Sequence, residues 1–272
     1  MSRTHHRFLL KILALLVVGL WSGVPAEALE WQDSPAMARA FEKSGAEGTF
    51  VLYDTKAQVF VGHNRERAGT RFIPASTFKI PNTLIGLAAG SVRDVDEILP
   101  YGGQPQPIAA WERDMSLRDA IPISNVPVYQ ELARRTGLEF MQSAVSKIDY
   151  GNNTVGTVVD RFWLDGPLKI SAVEQTQFLA RLAGADLPFP EEIQTAVRDI
   201  IQLEQQPGWT LYGNTGWGTK EEPAVGWWVG WINANGRIYT FALNMDLGDA
   251  ADLPKRIELG RTCLRSYGLL KQ

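Results

Sequence analysis

Strand-like runs stand at both ends of this chain and helical periodicity stands between them, a division that constrains the fold more than any other feature. Residues 49–53 and 58–62 are rich in β-branched and aromatic side chains, and Asp54-Thr55-Lys56-Ala57 separates them as the turn of an antiparallel hairpin would. Ahead of them Ser34 and Pro35 form a helix-start signal, with Met37, Ala38 and Phe41 as a short apolar face that ends near Gly45. At the other end 209–212, 226–232 and 238–245 read as strands, the last two joined by Asn233-Ala234-Asn235-Gly236, and a helix over 254–267 closes the chain. From 92 to about 203 the pattern is mostly helical, clearest over 131–145 and 172–183, and Arg65, Glu66 and Arg67 read as a solvated connection. The expectation is an α/β fold of the α+β type: a mainly antiparallel sheet built from both chain ends, flanked by helices, with a largely helical inserted region. The sheet-containing region is 29–65 plus 206–272, the helical region 66–205, and together 29–272 forms a single unit.

Residues 1–28 are set apart. Arg3, Arg7 and Lys11 precede an apolar run from Ile12 to Trp21, and Ala26-Glu27-Ala28 supplies the small residues of a cleavage point, which predicts a secretory signal peptide. The apolar run is far short of the ~20 residues needed to span a bilayer. No stable membrane insertion is therefore expected, and the mature chain is placed in the periplasm. The net charge of −3 becomes about −5 without this segment, so no basic surface is offered to nucleic acid.

Counting removes several chemistries. His5 and His6 fall within the signal peptide, which leaves His63 alone, and no Gly-x-Ser-x-Gly elbow accompanies it for a Ser-His-Asp triad. One histidine and one cysteine, Cys263, cannot build a zinc site of the usual composition or an intramolecular disulfide. No metal is expected.

What remains is Ser76-Thr77-Phe78-Lys79, the only Ser-x-x-Lys in the chain. On a helix, positions i and i+3 share a face, so the Lys79 amine can reach the Ser76 hydroxyl. Burial among Phe78 and Ile80 would disfavour the charged ammonium and leave the amine basic, the pairing a nucleophilic serine requires. Pro81 deletes a helical hydrogen bond, which predicts a distorted first turn. Serine-lysine acyl-transfer enzymes add a second Ser-x-(Asn or Val) and a strand bearing Lys-Thr-Gly. Here Ser124-Asn125-Val126 lies 48 residues after Ser76, and Thr215-Gly216 follows the strand that starts at 210.

With Tyr150-Gly151-Asn152, Phe162-Trp163-Leu164 and Gly226-Trp227-Trp228-Val229-Gly230-Trp231, these segments closely resemble the class D, or OXA-type, serine beta-lactamases over nearly all of the mature chain. The resemblance implies the fold of the penicillin-recognising serine enzymes and hydrolysis of penicillin-like lactams, with beta-lactam small molecules as partners. It implies Ser76 as nucleophile, with the backbone N–H groups of Ser76 and Trp217 holding the oxyanion. It also implies that Lys79 is N-carboxylated by carbon dioxide or bicarbonate, the only cofactor expected, with Trp163 hydrogen-bonded to that group. Ser124 would pass a proton to the departing nitrogen. Phe78 and Val126 would keep the lysine pocket dry, and Tyr150 and Asn152 would shape the site. Thr215, Gly216 and Arg256 would bind the substrate carboxylate.

One position departs from the pattern. Asn214-Thr215-Gly216 stands where the family has Lys-Thr-Gly, so the ammonium that would help hold the carboxylate is missing and a weaker or narrower activity is expected. The rival readings are a penicillin-binding transpeptidase or carboxypeptidase and a lactam sensor acylated without turnover. The oligomeric state is left open, a homodimer being one outcome.

Overall fold

The computed structural model describes residues 30–271, so the expected signal peptide lies outside the described residues. The elements in order are β1 (Glu30–Asp33), α1 (Pro35–Ser44), β2 (Gly48–Asp54), β3 (Val59–His63), α2 (Arg65–Gly69) and α3 (Lys79–Ala88). Then come α4 (Leu117–Ala120), α5 (Val126–Thr136), α6 (Leu138–Lys147), α7 (Ala172–Ala183) and α8 (Glu191–Ile200). Last are β4 (Gln202–Gln206), β5 (Trp209–Gly218), β6 (Ala224–Ala234), β7 (Arg237–Leu247) and α9 (Lys255–Ser266).

The seven strands form one sheet in the order β1-β3-β2-β7-β6-β5-β4, so the chain ends meet where β2 lies antiparallel to β7. Every pairing is antiparallel except β1 with β3. Both faces are covered, which explains the near-continuous apolar run of β6. Along it the side chains alternate: Trp227, Val229 and Trp231 join the larger core shared with the helical region, while Trp228 and Ile232 join the core beneath α1 and α9.

Five expectations need correction. β1 and β4 were not anticipated, because these short edge strands are mostly exposed and carry no alternating apolar pattern. The strand starting near 210 does not end before Thr215 but runs to Gly218, since its glycines and Asn214 read as turn residues while pairing with β6 holds them extended. The helix expected over 131–145 is two, broken at Gly137 with φ of +79°. Residues 91–116 and 149–170 hold little regular helix. Arg65 to Arg67 begins a short helix, and Arg67 is not a free surface charge: it donates to Asn244 Oδ1 at 2.7 Å, pairs with Asp246 at 2.5 Å and lies over the Phe72 ring.

Local signals set the other helix starts. Ser34 caps α1 through the Met37 N–H, and Ser171 with Glu174 forms a full capping box on α7. Asn125 caps α5 by accepting from the Val128 N–H at 3.1 Å, which gives the middle residue of Ser124-Asn125-Val126 a structural task.

Candidate active site

Ala75–Phe78 forms a 3-10 turn that leads directly into α3. The distorted first turn expected from Pro81 is present: the Lys79 N–H bonds back to the Ser76 carbonyl, an i to i−3 link. Ala75, just before the serine, has φ of +48°, a left-handed value that a non-glycine residue rarely adopts. The turn aims Ser76 at the lysine, and Lys79 Nζ lies 2.6 Å from Ser76 Oγ.

Lys79 is fully buried, and desolvation lowers its pKa to about 7. Nζ also sits 5.5 Å from the centre of the Tyr129 ring, an attraction for a cation that burial outweighs. The amine is thus substantially neutral near pH 7 and able to take a proton from the serine.

An aromatic wall keeps this corner dry. Phe78 stacks on Trp163 at 5.5 Å and meets Tyr150 and Phe162 edge-on at 5.6 and 4.9 Å, and all four rings are buried. Trp163 Nε1 is buried and has no hydrogen-bond partner among the described residues. An indole N–H without an acceptor costs roughly 1–3 kcal/mol, so this orphan marks a place for one. Phe78, which stacks on this indole, directly precedes Lys79, so the orphan donor belongs to the aromatic cluster next to the buried amine in the chain.

The loop carrying Trp163 is anchored twice. Asn152 accepts from the Lys169 N–H at 3.0 Å and donates to the Pro167 carbonyl at 2.9 Å. Gly151 permits that closeness, because a Cβ there would lie 2.1 Å from the Lys169 carbonyl oxygen. From α5, Gln130 donates to the Asp160 carbonyl at 3.0 Å and Arg134 pairs with the Asp160 carboxylate at 2.8 Å.

On the opposite flank is the free edge of β5. β4 pairs with β5 only from Trp209 to Tyr212, so beyond Gly213 this edge faces the Ser76 turn. Gly213 N–H points to the β4 side, where it donates to Ile201, and Thr215 N–H donates to Asn214 Oδ1 rather than to β6. Alternation along the strand places the Trp217 N–H on that same edge. Gly216 allows the approach: a Cβ there would sit 3.0 Å from the Pro74 carbonyl oxygen. The Ser76 N–H lies in the first turn of the 3-10 helix, where backbone donors lack intrahelical acceptors.

Asn214 does something the sequence did not suggest. Its Nδ2 donates to the Ser76 carbonyl at 3.1 Å, tying β5 to the backbone of Ser76 itself. Arg256 is buried behind this edge, donating to the Gly216 carbonyl at 2.5 Å and the Leu253 carbonyl at 2.8 Å, and desolvation lowers its pKa to about 10. It forms no ion pair among the described residues, which leaves guanidinium N–H groups for an anion.

Ser124 stands between α4 and α5 with φ of +54°, half-buried, and Val126 opens α5. No hydrogen bond joins Ser124 to Ser76 or Lys79 among the described residues. Trp111 Nε1 donates to the Ile123 carbonyl beside it at 3.0 Å. Three residues at the site were missed in the sequence: Tyr129, Thr77 and Gln175. The signal for Gln175 was available, since it interrupts the apolar stripe Ala172, Phe178, Leu179 and Leu182 of α7, where a polar side chain must find a partner.

No helix among the described residues is long and apolar enough to cross a membrane, and no three metal-ligating side chains converge there. The family described as "Penicillin binding protein transpeptidase domain" matches residues 48–264. Among curated proteins, beta-lactamase OXA-48 of Klebsiella pneumoniae is 38% identical over 264 residues, covering 96% of this chain and 100% of that protein. Beta-lactamase OXA-5 of Pseudomonas aeruginosa is 36% identical, covering 96% and 99%. Among solved structures, FUS-1 (OXA-85), a class D beta-lactamase from Fusobacterium nucleatum subsp. polymorphum, superposes with a TM-score of 0.86 at 45% identity, covering 88% of this chain and 100% of that one.

Proposed function

We propose that this chain, which belongs to the class D beta-lactamases, hydrolyses the amide bond of penicillin-like lactams through an acyl-enzyme on Ser76 and so confers resistance to them. The observation that carries the reading is the buried Lys79 amine 2.6 Å from the Ser76 hydroxyl.

The Lys79 side chain receives the hydroxyl proton as Ser76 Oγ attacks the lactam carbonyl carbon. Negative charge then grows on the carbonyl oxygen, which the Ser76 and Trp217 N–H groups would stabilise. As the C–N bond breaks, Ser124 gives its hydroxyl proton to the nitrogen and takes up the one held on the Lys79 side chain, which restores Lys79 as a base for the next step. Water, activated from the Lys79 side, cleaves the ester and returns the proton to Ser76. Arg256, with the Thr215 hydroxyl and the Gly216 backbone, holds the substrate carboxylate.

The lysine pocket also fits N-carboxylation. A neutral buried amine is the form that adds carbon dioxide, and the orphaned Trp163 N–H is a donor suited to the new carboxylate. That group would supply an anionic oxygen base for both proton transfers. Phe78 and Val126 shield it from bulk water. Residues 1–28, with their charged start, apolar run and small-residue end, support export and cleavage to a periplasmic enzyme.

The test is hydrolysis of a chromogenic cephalosporin by the purified protein, with and without bicarbonate, with intact mass recorded after mixing. Sustained turnover that rises with bicarbonate is the expected result. One acyl adduct without turnover would show a sensor, and no adduct on Ser76 would remove the nucleophile assignment.

A further inference from the structure

We propose that Gln175 is a positioning residue for the nucleophile, acting through Thr77 to hold the strained turn that presents Ser76; the proposal rests on Ser76 being the residue acylated.

Three buried side chains from three separate segments form one hydrogen-bonded line. Tyr150 OH donates to Gln175 Oε1 at 3.3 Å, Gln175 Nε2 donates to Thr77 Oγ1 at 2.8 Å, and Thr77 Oγ1 donates to the Pro74 carbonyl at 2.7 Å. Tyr150 is 0% exposed, and Thr77 and Gln175 are each 1% exposed, so water does not compete.

The direction of the line is forced. A carbonyl can only accept, so the single Thr77 hydroxyl proton goes to Pro74, and Thr77 Oγ1 must itself accept. The Gln175 amide nitrogen therefore faces Thr77 and its oxygen faces the phenol. Burial raises the Tyr150 pKa, which keeps its proton in place to close the line. Each link satisfies the next, and a fully satisfied buried line is rigid.

Its end point matters. Pro74 is joined to Ser76 through Ala75, the residue with φ of +48°, and a strained conformation persists only where its surroundings over-determine it. Here they do so from two sides. α7 holds the Pro74 carbonyl through Gln175 and Thr77, while β5 holds the Ser76 carbonyl through Asn214 at 3.1 Å. The line touches neither Lys79 nor Arg256. It should therefore govern where Ser76 Oγ stands, and leave both the lysine chemistry and carboxylate binding alone.

Thr77→Val, which keeps the shape and loses the hydroxyl, and Gln175→Met are compared with wild type and with Thr77→Ser. Each mature protein is assayed for its acylation rate with a chromogenic cephalosporin, its half-saturation by bicarbonate and its Tm. Thr77→Val and Gln175→Met are expected to acylate about 10- to 100-fold more slowly, as a displacement near 1 Å would cause. Half-saturation by bicarbonate should not move, and Thr77→Ser should recover most of the rate. Acylation within twofold of wild type in both variants overturns the proposal. So does an equal loss in Thr77→Ser, or a shift in bicarbonate half-saturation, which would assign the residues to the lysine pocket. If Thr77→Val gives no melting transition, Gln175→Met decides by the same criteria. A wild type that forms no adduct on Ser76 overturns the beta-lactamase reading and this proposal with it, whereas normal wild-type turnover beside normal variants overturns this proposal alone.

Discussion

Ser76 stands between two unlike flanks. On one side, Lys79 is buried beside Tyr129 and follows Phe78, which packs in turn on Tyr150, Phe162 and Trp163, every one of them buried. On the other, the β5 edge is partly open: Trp217 is 38% exposed, and Asn214, Thr215 and Arg256 supply amide, hydroxyl and guanidinium groups. The dry flank can hold a neutral amine near pH 7 because desolvation there is large. The open flank can receive an anion because its donors are fixed while solvent and substrate can still enter. In the proposed mechanism, proton chemistry and substrate anchoring are thus separated by the width of one turn, so changes on the two flanks should move different observables.

Lys79→Met should break the dry flank most completely. Turnover falls by roughly 10⁴-fold or more when the base of a nucleophilic serine is lost. The same variant should melt higher, by about 1–3 kcal/mol, since a buried amine is replaced by an apolar chain of similar length. The sign in pH follows from Lys79. Its folded pKa of about 7 lies below the ordinary lysine value of 10.5, so across that window the unfolded chain binds the proton and the fold does not. Wild-type stability therefore rises as pH rises from about 7 and is lost as pH falls back, and Lys79→Met should lack that slope in thermal melts.

Trp163→Phe keeps the stacking on Phe78 and removes the orphan donor. A hydrogen bond to a charged group contributes about 1.5–3 kcal/mol, so bicarbonate half-saturation should rise roughly 10- to 100-fold while KM at saturating bicarbonate stays put. Arg256→Ala is the counterpart on the open flank. KM for carboxylate-bearing lactams should rise roughly tenfold or more with bicarbonate dependence unchanged, and a change in bicarbonate dependence would show that the flanks are coupled.

The pH–rate profile sharpens the same division. With wild type, kcat/KM should fall about tenfold per unit on the acid side of pH 7 as Lys79 takes up a proton; a flat profile down to pH 5 would remove Lys79 as the base. Asn214→Lys should give the smallest effect, a several-fold fall in KM for carboxylate-bearing substrates from the restored charge. It is offset by loss of the Asn214 tether to the Ser76 carbonyl, so a fall in kcat alongside it would measure that tether.

Ser76-Thr77-Phe78-Lys79 was legible because its chemistry depends on helical spacing three residues apart, a local property written in the chain. The sheet from both ends was legible for the same reason: its central strands are buried and carry strong apolar patterns. The edge strands β1 and β4 were not, because exposed strands take their conformation from a neighbour rather than from their own side chains. Asn214 was read as a missing charge, and only the structure shows its amide turned onto the Ser76 carbonyl, 138 residues away in sequence.

By itself, then, the sequence determined the spacing that pairs Ser76 with Lys79, the placing of strands at both chain ends with helices between them, and the residue types available to the site. Tertiary structure alone decided that Lys79 is buried deeply enough for its pKa to fall to about 7, that Trp163 keeps an unmatched donor, and that Gln175 reaches Thr77 across 98 residues of sequence. Desolvation and hydrogen-bond direction depend on what surrounds a group in space, and no local pattern records which distant segments will supply those surroundings.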